Sequence, residues 1–211
     1  MKTTLIFVRH GKSTAPDNGV VQGQGISVPL SEEGRAQAEK LGEALSSLRF
    51  DRLFTSTSVR AIDTAAEIKG RHVGVSYEEI AALNERSKGE AEGMTHEVFS
   101  QTYPDIEEAW EREEDPRVPG GENFADVEKR AMPVIEGHLE HYPGQTLLYI
   151  VHGNLIRVLL GVMLGTPPEK RNRILQSYRG VSVIDYDHTK KRFLVRSINQ
   201  SPQAFAEDNC R

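Results

Sequence analysis

Two histidines, two arginines and one glutamate in this chain have the residue types and settings that phosphoryl transfer requires. Arg9-His10 closes the apolar run 3–8, and His152 closes the apolar run 146–151. Arg60 stands about one helical turn beyond Leu53-Phe54-Thr55-Ser56, and Glu85 lies in a polar stretch after residues 73–77. A phosphoryl group presents about two negative charges and three equatorial oxygens. Planar guanidinium groups such as Arg9 and Arg60 bind those oxygens in bidentate fashion. A neutral histidine can attack phosphorus and form phosphohistidine. A second histidine, if protonated, can bind an equatorial oxygen and stabilise the charge that develops there. A carboxylic acid can protonate the leaving oxygen and then activate water. The set is chemically complete with no metal and no cofactor.

These groups work only if the fold brings them together, and the pattern along the chain says how it would. Residues 3–8 read as a strand buried on both faces. A polar loop follows to Pro29. Ser31 is a good N-cap, Glu32 and Glu33 favour a helix start, and Ala38, Leu41, Leu45 and Leu48 form an apolar stripe. Residues 53–56 predict a second strand, Ala61, Ala65 and Ile68 a second helix, and residues 73–77 a third strand. Between Leu83 and about Phe124 the chain turns acidic, with Glu107, Glu108, Glu111, Glu113, Glu114 and Asp115, and reads as short helices inserted over the sheet. The acid run itself reads as a solvated helix face. A long helix carries Phe124, Val127, Ala131, Val134, Ile135 and Leu139 inward and is expected to be disturbed at Pro133. The strand 146–151, a helix 154–164 and a hairpin of 181–186 with 192–198 complete the chain. Alternating strands and helices without a repeat predict an α/β, three-layer α/β/α sandwich with a mostly parallel sheet. Ligands of open α/β sheets bind beyond the carboxyl ends of the strands, where Arg9, His10, Arg60 and His152 all fall.

Composition agrees with one soluble domain over residues 1–211. Hydrophobic residues make up 37% and charged residues 27% of the 211, which excludes collagen-like, disordered and disulfide-rich classes. A net charge of −5 gives no general attraction to nucleic acid or to an anionic membrane, so positive charge for an anionic substrate must be concentrated locally. The single cysteine, Cys210, excludes cysteine zinc sites and reads as an inert tail residue. Arg9 ends the N-terminal apolar run too early for a secretory segment, and the expected location is cytoplasmic. His138 and His141 read as exposed positions on the long helix, Trp110 as a packing residue. Gly23-Gln24-Gly25 lacks the third glycine of a dinucleotide loop. No feature fixes the oligomeric state, and a homodimer stays open.

The stretch around Arg9-His10-Gly11 resembles the signature of the histidine phosphatase superfamily, in its phosphoglycerate mutase-like branch. Further blocks are similar in order and spacing: 29–34, 56–65, Leu83-Asn84-Glu85, Pro119-Gly120-Gly121-Glu122, and His152-Gly153-Asn154 with Arg157. The resemblance implies that His10 is the phosphorylated nucleophile, that Arg9, Arg60 and His152 hold the phosphoryl group, and that Glu85 is the proton donor. It implies a small helical cap at about residues 86–125 that selects the substrate. Asn154, Lys12, Ser13, Gly23 and Arg86 join Arg9, Arg60 and His152 as the expected substrate-binding set. The chain departs from the family pattern at Lys12, where an acid or amide is usual, at Pro16 with Asn18 two residues later, and at Ser27 before the Pro29-Leu30 pair.

The substrate implied is a small phosphate ester, and two activities share the chemistry. Mutase-type chains carry His-Tyr where this one has Ser87-Lys88, and their cap arginine pair has no counterpart in Glu111-Arg112-Glu113-Glu114. A phosphatase is therefore favoured, with a phosphoglycerate mutase-type phosphotransferase as the alternative. A binding protein without turnover is the third class. Lys12, Arg86, Lys88 and Arg157 offer charge for a second anionic group on the substrate.

Overall fold

The computed structural model describes residues 1–15, 19–25 and 27–209. Its centre is made by β1 (Lys2–Arg9) and β4 (Thr146–Val151), which pair in parallel from Thr4 against Thr146 to Arg9 against Val151. Leu5, Phe7, Leu147, Tyr149 and Val151 enter one core, and Ile6, Val8, Leu148 and Ile150 enter the other. A strand with both faces covered needs such an unbroken apolar run. Outside β4 lie β2 (Arg52–Thr55) and β3 (Ser76–Glu79), both parallel. Outside β1 lies the antiparallel hairpin of β5 (Val181–Asp187) and β6 (Arg192–Gln200). The order across the sheet is β3-β2-β4-β1-β5-β6.

Helices close both faces, giving the expected three-layer sandwich. Leu41 and Leu45 from α1 (Glu32–Ala44) and the turn after it, Ile68 from α2 (Val59–Lys69), and Phe205 from α7 (Pro202–Asn209) cover Ile6 and Val8. The other face is covered by α5 (Phe124–His141) and α6 (Gly153–Leu164). Ser31 caps α1 as its sequence predicts, its hydroxyl accepting from the Gly34 N–H at 3.0 Å. Between β3 and α5 come α3 (His96–Thr102) and α4 (Pro104–Glu111), with a small apolar cluster of Ala91, Phe99 and Val118 flanked by Met94 and Trp110. Among the described residues no helix is long and apolar enough to cross a membrane.

Several elements differ from the sequence reading for physical reasons. β3 starts at Ser76 rather than Val73, because Gly74 at φ 87° and a bond from the Val75 N–H to the His72 carbonyl make a turn that leaves Val73 96% exposed. α5 continues through Pro133, which lies on its exposed face, where water can take the lost hydrogen bond. His138 is not on the solvent side: it stacks on Phe54 at 4.1 Å and its Nδ1 lies 2.9 Å from the Tyr149 hydroxyl, and burial pushes its imidazole down to about 4. Asp115 belongs to the acid run but is not solvated; it pairs with buried Arg86. The helix α7 has a single large apolar anchor, Phe205, too little for periodicity to reveal. Pro16, Asn18 and Cys210 lie outside the described residues.

Candidate active site

β1 and β4 end level with each other, and this register brings the two histidines together. Arg9 is opposite Val151, and the His10 N–H donates to the Val151 carbonyl at 3.0 Å. The rings of His10 and His152 then stand edge to face, with centroids 5.0 Å apart. His10 Nδ1 is 2.6 Å from the Gly11 carbonyl oxygen. A carbonyl only accepts, so Nδ1 carries the proton and Nε2 keeps its lone pair. Arg60 Nε donates to that Nε2 at 3.3 Å. Burial first, then the charges of Arg60 and Arg9, hold His10 well below the ordinary value of 6.5, so it is neutral at neutral pH.

His152 is buried beside it with Nε2 2.7 Å from Ser56 Oγ, which itself accepts from the Ser58 N–H at 3.3 Å. When the hydroxyl donates to Nε2, the ring proton sits on Nδ1; when it accepts, the proton sits on Nε2. That Nδ1 is buried and has no partner among the described residues. Burial, then Arg60, His10 and Arg9, keep this imidazole well below 6.5. Its burial beside these cations thus favours the neutral ring at neutral pH over the protonated one the sequence reading allowed for.

Both arginines are fixed by carbonyls instead of carboxylates. Arg60, in the first turn of α2 and 1% exposed, donates to the carbonyls of Gly25 at 2.7 Å and Gly23 at 3.1 Å. Arg9 donates to the Gln176 carbonyl at 2.6 Å and lies 4.0 Å over the Tyr178 ring, while its Nε is buried without a partner among the described residues. A Cβ at Gly153 would come within 3.2 Å of the Arg9 guanidinium, so this glycine leaves room for it. Burying a cation is costly when no carboxylate is hydrogen-bonded to it, and buried Arg60 beside half-buried Arg9 makes a place suited to an anion. Glu85 is 9% exposed and lies across the start of α6, accepting from the N–H groups of Arg86 at 2.8 Å, Leu155 at 3.1 Å and Asn154 at 3.1 Å. Arg130 clamps its loop from α5, donating to the carbonyls of Asn84 and Glu85, both at 2.9 Å.

The other expected residues divide. Gly23 takes part through its carbonyl, Ser13 donates to Gln22 Oε1 at 2.8 Å, and Asn154 Oδ1 accepts from Arg157 at 3.2 Å. Lys12 is drawn instead to Glu33 in the first turn of α1, at 3.0 Å. Arg86 is also engaged elsewhere: it ion-pairs with Asp115 at 2.9 Å and donates to the carbonyls of Glu122 at 2.6 Å and Pro116 at 2.9 Å. Its charge therefore fastens the inserted segment and is not presented to a ligand. Sequence reasoning missed Tyr178, Gln176, Arg130 and the role of Ser56. The one available signal for the first two was their place just before β5, the strand beside β1.

Two expectations follow here. Tyr178→Leu removes the cation–π contact on Arg9, worth about 1 kcal/mol, and should raise KM for a phosphate ester roughly fivefold. Tyr178→Phe should restore it, because the ring face and not the hydroxyl makes the contact; steady-state kinetics on both variants decide. The lowered His10 and His152 also have a sign for stability: the unfolded chain takes up protons as pH falls below 6.5 and the folded chain does not. Their contribution is complete above 6.5 and shrinks as pH falls towards their lower folded values, so urea midpoints should drop from neutral to mildly acidic pH.

Known proteins share this arrangement of chain. The sequence pattern of the histidine phosphatase superfamily (branch 1) matches residues 5–199. The chain belongs to this superfamily. Within it, the chain is 33% identical over 166 residues to the 2,3-bisphosphoglycerate-dependent phosphoglycerate mutase of Rhizobium etli, covering 74% of this chain and 78% of that protein. It is 27% identical over 205 residues to an acid phosphatase of Mycobacterium tuberculosis, covering 96% of each. Its fold superposes on a mycobacterial glucosyl-3-phosphoglycerate phosphatase in complex with inorganic phosphate with a TM-score of 0.83 and 25% identity, over 95% of this chain and 98% of that one.

Proposed function

We propose that the protein is a phosphatase that hydrolyses small phosphate monoesters through phosphohistidine at His10. The observation that carries this reading is the neutral His10 ring, with Nδ1 tied to the Gly11 carbonyl and Nε2 accepting from Arg60, beside a second guanidinium, Arg9; neither arginine is ion-paired to a carboxylate among the described residues. The Nε2 lone pair forms a bond to phosphorus while the bond from phosphorus to the ester oxygen breaks. Glu85 supplies the proton to that oxygen, and the alcohol leaves. A water then attacks the phosphoryl group, Glu85 takes its proton, and the N–P bond breaks to give inorganic phosphate and free His10. Arg9, Arg60 and the Nδ1–H of His152 hold the equatorial oxygens through both steps. The segment 86–125 is the cap under which the alcohol portion sits.

The mutase reading has the sequence relatives in its favour, which are mostly phosphoglycerate mutases at 30–33% identity. Against it, Arg112 is bound outward to Glu114 at 2.9 Å with its side chain 57% exposed, and Arg117 is bound to Asp126 with its side chain 59% exposed. Neither stands ready to hold a substrate carboxylate beside the phosphoryl site. A panel of phosphorylated metabolites, assayed in chelator for both inorganic phosphate and isomerised product, tests the proposal. Phosphate release should dominate; isomerisation outrunning it would overturn the choice, and no turnover of any ester would favour a binding protein.

A further inference from the structure

Glu92 follows the short turn Gly89–Ala91 in the inserted segment and touches none of the groups assigned to the phosphoryl site. Its half-buried carboxylate nevertheless reaches the loop that holds Arg60. Oε1 accepts from the Gln24 N–H at 2.9 Å and Oε2 from the Gly25 N–H at 3.1 Å. Within its own segment, Oε1 also accepts from the Lys88 N–H at 2.9 Å and the Ser87 hydroxyl at 3.2 Å. The peptide unit between Gly23 and Gln24 is therefore gripped on both sides. Its N–H donates to Glu92, and its carbonyl accepts from Arg60 Nη2 at 3.1 Å. A carboxylate behind the N–H and a guanidinium before the carbonyl polarise this unit in the same sense, so the two bonds strengthen each other. Gly25 is used in a similar way, its N–H by Glu92 and its carbonyl by Arg60 Nη1 at 2.7 Å. The approach is close enough to require glycine at position 23, where a Cβ would overlap the Glu92 carboxylate and fall 2.7 Å from the Lys88 nitrogen.

We propose that Glu92 is a positioning residue for the phosphoryl site: through the peptide between Gly23 and Gln24 it fixes the Arg60 guanidinium and acts as its counter-charge at one peptide's remove. The proposal rests on the reading of Arg60 as a phosphoryl-binding group. Burial pulls the Arg60 guanidinium down, and the charges of Glu85 and then Glu92 act against it. A carboxylate bonded directly to Arg60 would compete with phosphoryl oxygens for the same N–H donors, whereas one placed behind a peptide does not. The loop has other ties to the inserted segment. The Val21 N–H donates to the Met94 carbonyl at 2.8 Å, and the Gly93 N–H donates to the Val21 carbonyl at 2.9 Å. Glu92 therefore sets the local path of residues 23–25, and its loss is felt at Arg60 rather than throughout the fold.

The test uses two effects of opposite sign. Removing a negative charge near an anion site by itself strengthens anion binding, whereas releasing Arg60 weakens it. Calorimetry with inorganic phosphate at neutral pH should show Glu92→Ala binding about tenfold more weakly than the wild type, which is about 1.4 kcal/mol. Glu92→Gln keeps the shape and one acceptor oxygen and should recover part of the loss. In an Arg60→Met background, Glu92→Ala should cause no further weakening, because the group it acts through is gone. Should Arg60→Met fail to fold, the sign of the change in Glu92→Ala decides alone. Phosphate bound by Glu92→Ala as tightly as by the wild type, or more tightly, overturns the role, and so does an equal weakening in the Arg60→Met background. Ester hydrolysis separates the two claims: a wild type that binds phosphate and hydrolyses no ester, with the Glu92 effects as expected, would contradict the phosphatase reading and sustain the positioning role.

Discussion

His10→Ala should lose phosphatase activity by a factor on the order of 10⁵ or more, the scale seen when the nucleophile of a covalent mechanism is removed. The reason is specific to the geometry. Among the groups around the site, His10 Nε2 is a neutral nitrogen with a lone pair, and its orientation is fixed at 2.6 Å to the Gly11 carbonyl on the far side of the ring. His152 cannot substitute, since its Nε2 is tied to Ser56 at 2.7 Å. The variant should still bind inorganic phosphate, because Arg9 and Arg60 are held by the carbonyls of Gln176, Gly23 and Gly25 and not by His10 alone. Phosphate should therefore raise its melting temperature, by the usual mass-action link between binding and stability. Residual activity within a hundredfold of wild type, in a variant that melts normally, would remove His10 from the mechanism.

Gly34→Ala should produce the largest loss of stability for the smallest chemical change. A Cβ at position 34 would lie 1.8 Å from the Lys12 carbonyl oxygen and 2.8 Å from its carbon, both backbone atoms that cannot swing aside. Gly11 faces the same constraint, its added Cβ falling 2.6 Å from the Gly34 carbonyl oxygen. The loop after β1 thus lies directly on the first turn of α1, and the glycine of the Arg-His-Gly signature serves this close packing. Overpacking of this kind costs about 3 kcal/mol or more. For a chain of this size that is a fall of roughly 6–12 °C in melting temperature. The same displacement would move Gly11, which orients His10, so kcat should fall together with stability. A thermal melt followed by circular dichroism, with kcat on an aryl phosphate, checks both parts; a melting temperature unchanged from wild type would show that the loop yields easily.

Much of this site could be read from the chain alone because the central strands advertise their ends. Runs 3–8 and 146–151 are apolar without a break and stop abruptly at Arg9-His10 and His152, so the sheet edge and its histidines came together. Arg60 followed from its position after β2, whereas Glu85 was set apart from neighbouring glutamates only by the family resemblance, and β3 before it begins three residues late. What could not be read depends on contacts between segments far apart in sequence. Arg86 looks like a spare cation until Asp115 is seen beside it at 2.9 Å, and Asp115 looks solvated because its neighbours in the run are. Lys12 and Glu33 are another such pair, at 3.0 Å. His138 appears polar in a list of residues but occupies an aromatic stack with Phe54 and Tyr149. Tyr178 sits in a loop with no periodicity, and only the path of β5 beside β1 lays it under Arg9.

The claim on which all of this depends is that the phosphoryl group spends part of each turnover on His10 Nε2. Rapid mixing with a phosphate ester, alkaline quenching and mass spectrometry of the peptides would detect it directly. The account predicts an acid-labile phosphoryl group on the peptide containing His10, formed at least as fast as steady-state turnover and lost as inorganic phosphate appears. Product release at full rate with no phosphorylated His10 at any time, or with the label on another residue, would contradict it.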